Sequence, residues 1–440
     1  MLPSSFDRIA RGIATRSLRP ATRRGVLRAA GAALVTGGLG KARGAVRAEG
    51  TPEPDATPTA ATPAAILQAE PAQAVVAIAR DAMTRYDLRA LIARVTIAGE
   101  ELVTLALGES MTGVPATVDM RFRNGAVAIS YLSTLLLVLV DRGMAGLDDP
   151  LTRWMPELPD ADRVTLRMLT NMTAGYPDYV QNQDLLKALY VDPFRQWAPE
   201  ELIAIGLSTP RVFAPGENWD YSHTNYVILG RTLERMTGTP MDVLMQQYIL
   251  DPLGLRDTQG SSSPAIPEPA LHAFTAERRD ALGIPADVRF LEESTYWNPS
   301  WTLAQGAIQT TTIFDMTTTA DAIGAGTLLT SESHHAQIDP RLLGFGKPLA
   351  GCPNCHTLDR RYNYGLGVVL SGPWILQNPL FYGYGALEAY LPSKQLAVAV
   401  AVTFAESAFD DQGNYRNGFA AQSVLEAIAG QLAPGEEPGT

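Results

Sequence analysis

The sequence predicts an α/β fold in which an antiparallel sheet is flanked by N- and C-terminal helices and is interrupted by an α-rich inserted domain. β-Rich runs lie near both ends of the chain, at residues 91–97, 102–107, 367–370, 374–382 and 396–404. Amphipathic patterns predict helices at residues 75–86 and 418–432. The connections between the β-rich runs are of hairpin length. A single sheet built from both ends, with the terminal helices packed on it, is therefore the simplest arrangement.

The middle of the chain, residues 143–330, is predicted to be the α-rich insertion. Helix patterns occur there at residues 166–172, 199–207, 225–236 and 241–249. Just before the insertion, residues 130–140 are apolar on nearly every helical face, which predicts a buried helix because no side of it suits water. The α/β part is therefore expected to comprise residues 71–142 and 331–434, followed by a tail at 435–440.

The first 48 residues are predicted to be an export signal and not part of the fold. Arg23 and Arg24 precede a modest apolar run at residues 29–39, and further basic residues follow it. This pattern resembles a twin-arginine signal, and residues 46–48 offer a small-residue cleavage site. The apolar run is short and contains glycines, so it is not expected to span a bilayer. The mature chain is expected in the periplasm, in the cell envelope or outside the cell, with no transmembrane helix.

The rest of the chain is strongly acidic. Residues 1–48 hold ten of the 35 Lys/Arg and one of the 46 Asp/Glu, so the remaining residues carry a net charge of −20. A surface of this sign repels phosphate groups, which excludes nucleic acid as an expected partner. Residues 49–70 are rich in Pro, Thr and Ala and are predicted to be a flexible linker.

Two cysteines, Cys352 and Cys355, form a CPNC motif. In an exported chain this spacing favours a disulfide that closes a surface loop. The alternative is zinc held by both cysteines with His356 or the pair His334-His335, but one CxxC motif is weak evidence for a metal site. The sequence therefore predicts a disulfide, or else two free thiols, without metal, and nothing in it indicates a cofactor.

The start of the apolar helix carries the motif with the most functional information. Residues 122–129 are FRNGAVAI and resemble the FRxGSxxK motif of the serine β-lactamase and DD-peptidase family, which includes class C β-lactamases and related esterases. The resemblance implies a serine nucleophile at the helix start and a lysine one turn later that takes its proton. These positions are Ala126 and Ile129 here. Since neither side chain can do this chemistry, the reaction is expected to be disabled or rewired.

Three further segments resemble the same family, and the likeness covers about residues 75–430. They are residues 147–150, 164–179 and 213–226. In the last of them, Tyr221 and His223 stand where the family has a Tyr-x-Asn triplet that relays protons and binds substrate. A third family element, a Lys/His-Thr/Ser-Gly strand facing the serine, is expected at residues 383–385, where Tyr384 replaces the basic residue. The implied fold is β-lactamase/transpeptidase-like.

These positions define the candidate site. The side chains expected to bind a ligand in the cleft are Tyr221, His223, Tyr384, Glu388 and Trp297. Ser130 and Ser222 are alternative nucleophiles. No base or oxyanion hole is evident for Ser130, which is expected to hydrogen-bond its own helix backbone.

The leading functional hypothesis is an exported protein of this family whose cleft binds a small molecule or a cell-wall peptide without turning it over. One alternative is an active esterase, DD-peptidase or β-lactamase with a rewired nucleophile. Another is a structural protein of the cell envelope. Polar residues stand at the family positions that have changed, which favours a cleft that binds a ligand over a cleft that is no longer used.

Overall fold

A computed structural model describes residues 70–261, 263–304 and 306–440. The predicted export signal and all of the predicted linker except Glu70 lie outside the described residues. Within them, none of the helices has the length and apolar character needed to cross a membrane.

The described residues contain short and long strands in both halves of the chain. In chain order they are β1 (Leu88–Ile97), β2 (Glu100–Met111), β3 (Val114–Pro115), β4 (Phe122–Arg123), β5 (Gln259–Gly260), β6 (Phe274–Thr275), β7 (Glu292–Glu293), β8 (Gln309–Thr311), β9 (Asn363–Tyr364), β10 (Val369–Ser371), β11 (Trp374–Gln377), β12 (Leu380–Phe381), β13 (Tyr384–Leu391) and β14 (Leu396–Phe404).

A nine-stranded antiparallel sheet from both ends of the chain forms the centre of the fold, which confirms the predicted class. Its order is β3-β2-β1-β14-β13-β11-β10-β9, and β12 also pairs with β13. The last strand, β14, lies between β1 and β13 in register. Two smaller sheets, β4-β8-β5 and β6-β7, lie outside it.

Helices fill the middle of the chain and both of its described ends. They are α1 (Glu70–Arg85), α2 (Val127–Asp141), α3 (Leu166–Thr170), α4 (Gln183–Val191), α5 (Pro199–Gly206), α6 (His223–Thr237), α7 (Met241–Met245), α8 (Asp251–Leu253), α9 (Ile313–Ala325), α10 (Ser331–Gln337) and α11 (Ala420–Leu432). A π-helical turn at Gln246–Leu250 joins α7 to α8.

The core lies where these helices cover the sheet. Every residue of β13 and β14 is buried, as is typical of strands covered on both faces. Helices α1 and α11 pack on each other and on the sheet, and α9 also packs on β13 and β14. Helix α2 is buried along nearly all of its length and contacts α6, α10 and β13. The apolar pattern of residues 130–140 is thereby explained.

The position of α9 differs from the predicted division of the chain. Residues 313–325 fall inside the predicted insertion, but they pack on the central sheet and contribute Ala320 to a small cluster with Tyr390 and Ala397. The insertion that is separate from the sheet therefore ends before α9. The predicted tail also has contacts, since the indole Nε1 of Trp374 donates to the carbonyl oxygen of Glu436 at 2.7 Å.

Candidate functional site

The start of helix α2 is fixed by the small sheet next to it. Strand β4 pairs with β8. Nδ2 of Asn124 donates to Oε1 of Gln309 at 2.5 Å, and Oδ1 of Asn124 accepts from the backbone N–H of Gln309 at 3.0 Å. The chain then turns through Gly125, whose φ of +54° suits glycine. Ala126 follows as the N-cap of α2, partly exposed and without a polar side chain.

Ile129 belongs to the core and not to an open cleft. It is fully buried one turn into α2. The loop before β10 approaches the same turn closely, because a Cβ placed on Gly367 would lie 2.9 Å from the carbonyl oxygen of Ile129. The position that resembles the lysine of the family motif is therefore filled by packed apolar atoms.

Ser130 is turned into the protein. Its Oγ lies 2.7 Å from the carbonyl oxygen of Val127, which confirms the predicted bond to its own helix. The same Oγ lies 2.8 Å from Oε1 of Glu388 on β13. Burial raises the pKa of Glu388 to about 8. Ser130 and Ser222 are both fully buried, so neither hydroxyl is accessible to a substrate in this structure.

His223 and Asp178 form the most distinctive polar contact of the site. Nδ1 of His223, the first residue of α6, lies 3.1 Å from Oδ2 of Asp178. The backbone N–H groups of His223 and Val180 both donate to Oδ1 of the same carboxylate, at 3.1 and 3.2 Å. Asp178 is thus held from two segments. It is nearly buried, whereas His223 is partly exposed.

Aromatic rings surround this pair. Tyr221 stands edge-on to the ring of His223 with centroids 5.3 Å apart, and Tyr179 lies 6.0 Å away on another side. Burial raises the pKa of Tyr221 well above its ordinary value. Its hydroxyl therefore stays protonated near neutral pH and cannot act as a base there.

The residues just before the predicted facing strand pack against the start of α2. A Cβ placed on Gly125 would lie 2.8 Å from Cβ of Pro379, so the segment between β11 and β12 lies beside the helix start. Strand β13, which begins at Tyr384, also contacts α2 and β4. The hydroxyl of Tyr384 is buried and donates to the carbonyl oxygen of Leu271 at 2.6 Å.

The five predicted ligand-binding side chains are not equally accessible. Tyr221 and His223 lie together and are partly exposed. Tyr384, Glu388 and Trp297 are all buried, and Trp297 packs its ring 4.8 Å from that of Tyr382. A ligand can contact the exposed atoms of the first two without a rearrangement, but it cannot reach the other three. The sequence did not predict Asp178 as a site residue, because its partner His223 lies 45 positions away along the chain.

The loop that carries the two cysteines contacts the backbone of Tyr221. Their sulfur atoms are bonded to each other in a disulfide, 2.01 Å apart. Between them, Asn354 donates from Nδ2 to the carbonyl oxygen of Tyr221 at 3.4 Å. A cavity of about 380 Å³ opens beside this loop, and its walls include Asp178, Tyr179, Arg211, Asp220 and Cys352.

The histidines considered as zinc ligands do not form a metal-ligating group with the cysteines. Nδ1 of His356 lies 2.7 Å from the carbonyl oxygen of Asn354, and its ring packs on Trp219. Nε2 of His334 lies 3.1 Å from the carbonyl oxygen of Gly324. Among the described residues, the one group of three metal-ligating side chains is Asp220, Cys352 and Cys355.

Comparison with known proteins gives consistent results. Residues 75–423 match the family model described as Beta-lactamase. The chain is 31% identical to Esterase EstB of Burkholderia gladioli over 194 residues, which are 41% of this chain and 49% of the esterase. It is 29% identical to Penicillin-binding protein 4* of Bacillus subtilis over 158 residues, 35% of this chain and 34% of that protein. The matched region thus spans less than half of each of these relatives.

A solved structure extends the likeness in fold. The D-amino acid amidase from Ochrobactrum anthropi SV3, complexed with D-phenylalanine, superimposes with a TM-score of 0.67. The superposition covers 82% of this chain and 99% of the amidase at 24% sequence identity. At this identity the comparison supports the shared fold.

Proposed function

Because this chain belongs to the beta-lactamase family, we propose that it is an exported protein that binds a small acyl compound or a cell-wall peptide and does not turn it over. The absence of a nucleophile at the helix start carries this proposal. Ala126 caps α2 where the family motif has serine, and buried Ile129 stands where it has lysine. A methyl group cannot attack a carbonyl carbon, and removing the nucleophile of a serine hydrolase costs about a millionfold in rate.

The accessible polar groups support binding. His223 presents a partly exposed imidazole with the ring of Tyr221 edge-on to it, and Asp178 holds the imidazole in place. Such groups can orient a carbonyl, an amide or a carboxylate by hydrogen bonds. The names of the relatives point to ligands of this chemistry, since they include an esterase, a penicillin-binding protein and a D-amino acid amidase.

Calorimetric titration tests this function. The probes are benzylpenicillin, D-alanyl-D-alanine, D-phenylalanine amide and a short-chain aryl ester, each recovered afterwards and analysed for turnover. We expect saturable binding of at least one probe, its recovery unchanged, and weaker binding by His223→Ala. Binding of none of them would favour the structural envelope protein, and turnover would favour a hydrolase.

A second candidate function rests on the contact between His223 and Asp178. An imidazole whose Nδ1 faces a carboxylate leaves Nε2 to accept a proton, as in hydrolases that use histidine as a general base. Since Ser130 and Ser222 are buried, the nucleophile in such a reaction would be water activated by His223. This candidate requires ester turnover without a covalent intermediate.

The two functions make opposite kinetic predictions. If His223 is a general base, aryl-ester hydrolysis is measurable in the wild-type protein and falls about a hundredfold or more in His223→Gln. It also falls in Asp178→Asn, because the imidazole loses the carboxylate that orients it. If the protein only binds, hydrolysis stays at the rate in buffer for all three proteins.

A further inference from the structure

The carboxylate of Asp220 lies in an unusual place beside the disulfide. Its ligand oxygen and the sulfur atoms of Cys352 and Cys355 all lie within 4.8 Å of one another. Asp220 is 3% exposed, and each cysteine is 5% exposed. Oδ1 of Asp220 has no hydrogen-bond partner among the residues that the structure describes. Burial raises the pKa of Asp220 well above its ordinary value, and a buried carboxyl oxygen without a partner is uncommon enough to call for an explanation.

A cavity adjoins this group. Asp220 and Cys352 both line the space of about 380 Å³, together with Asp178 and Arg211. The volume is large enough for several water molecules, and polar side chains line much of it. A hydrated cation in this space would lie beside Asp220 and Cys352, and it would reach their ligand atoms once reduction had separated the two sulfurs.

We propose that reduction of the disulfide creates a zinc site with Cys352, Cys355 and Asp220 as protein ligands. Reduction takes two electrons and two protons from a dithiol, which becomes a disulfide while the two cysteines become thiols. Zn²⁺ then displaces the thiol protons and binds both thiolates and the carboxylate. Water from the cavity supplies the fourth ligand of a tetrahedral ion.

Zinc suits this set of atoms better than the other common divalent ions. Two thiolates are soft ligands that Mg²⁺ and Ca²⁺ avoid, and an oxygen ligand with two sulfurs is acceptable to tetrahedral Zn²⁺. The two cysteines and Asp220 come from separate parts of the chain, so no local motif reveals the set. In the oxidised chain the two sulfurs are bonded to each other, and the site is closed.

The site is joined to the ligand-binding residues through the CPNC loop. Asn354 lies between the two cysteines and donates to the backbone of Tyr221, and Asp220 precedes Tyr221 directly. Binding of zinc would fix the loop and the backbone that carries Tyr221. The redox state of the cysteines would thereby act on the same site that we propose for ligand binding, although zinc binding itself does not depend on that function.

Metal titration of the full chain tests the proposal. The protein is reduced with a phosphine, transferred to anaerobic buffer and titrated with zinc chloride against a chromophoric chelator. We expect one zinc per reduced chain and none per oxidised chain. Asp220→Asn preserves the shape of the side chain but should lower the zinc affinity at least about tenfold. Glu332→Gln, which changes an exposed carboxylate on α10, should leave it within about twofold.

X-ray absorption of the zinc-loaded wild-type protein keeps the test independent of any variant. The proposal requires two sulfur ligands and two oxygen ligands around the ion. A reduced wild-type chain that binds no zinc overturns the proposal. So does a first shell without two sulfurs, or an Asp220→Asn variant, folded by circular dichroism, that binds zinc as tightly as the wild type.

Discussion

Oε1 of Glu388 lies 2.8 Å from Oγ of Ser130, inside the core between β13 and α2. The same Oγ lies 2.7 Å from the carbonyl oxygen of Val127, and a hydroxyl has one proton to donate. Both contacts are satisfied if Glu388 is protonated and donates to Ser130, which then donates to Val127. The pKa of about 8 that burial gives Glu388 agrees with this arrangement.

The stability of the fold should therefore depend on the charge of Glu388. Its pKa is raised from 4.5 to about 8 in the folded chain, so the folded state holds a proton that the unfolded state releases above pH 4.5. This contribution is fully present at low pH and is lost as the pH rises toward 8. The slope is at most about 1.4 kcal/mol per pH unit.

Glu388→Gln should remove this pH dependence, because an amide can still donate to Ser130 but has no proton to lose. Urea unfolding at pH 5, 6.5 and 8 measures it, and the variant should exceed the wild type in stability most clearly at pH 8. Glu332→Gln, which alters an exposed carboxylate on α10, serves as the control and should follow the wild type. Parallel curves for Glu388→Gln and the wild type would show that Glu388 is charged in the fold.

Restoring acylation at the start of α2 should require both the serine and the lysine of the family motif. Ala126→Ser supplies a hydroxyl but no neighbouring base. Ile129→Lys places an unpaired cation where the side chain is fully buried, so it should mainly destabilise the protein. We expect slow, detectable acylation by β-lactams in the double variant and none in either single variant. Equal labelling of Ala126→Ser and the double variant would show that another base serves the helix start.

Ligand affinity should fall in His223→Ala if His223 contacts the ligand, because the variant loses the hydrogen bond that the imidazole makes to the ligand. Calorimetric titration measures the effect with whichever probe binds. Glu332→Gln, which alters an exposed carboxylate, should retain the wild-type affinity. Equal affinity of His223→Ala and the wild type would remove His223 from the binding site.

Export should depend on the paired arginines. Changing both Arg23 and Arg24 to lysine keeps the charge but removes the residues on which the twin-arginine pattern rests. A tagged double variant is expected to remain in the cytoplasm, and the wild-type protein is expected to leave it. Cell fractionation followed by immunoblotting measures the distribution. Equal export of the two proteins would remove the basis for the signal.

The sequence predicted the sheet well because strand patterns are local. Residues 396–404 form β14 as expected. The run at 374–382 instead divides into β11 and β12 around Pro379, which has no N–H to donate to the sheet. Helix α9 was not predicted, since its run of threonines has low helix propensity. Its start is capped by Thr312, whose Oγ1 accepts from the N–H of Asp315 at 3.4 Å.

The candidate site was only partly predictable from the sequence. Ala126 and Ile129 could be read directly from a compact motif. The contact of Pro379 with Gly125 could not, because Pro379 comes before a turn at Tyr382 and Gly383, both with positive φ, that no local pattern predicts. The contact between Asp178 and His223 joins two separate segments, so it follows from the fold and from no local pattern.

The central claim is that the start of α2 has no nucleophile, and intact-mass analysis of the wild-type protein tests it most directly. The protein is incubated with benzylpenicillin and with a fluorophosphonate, beside the Ala126→Ser, Ile129→Lys double variant. We predict that the wild-type mass does not change with either reagent. A stoichiometric adduct on the wild type, mapped to Ser130 or Ser222, would contradict the account and show that the protein is a serine hydrolase with a relocated nucleophile.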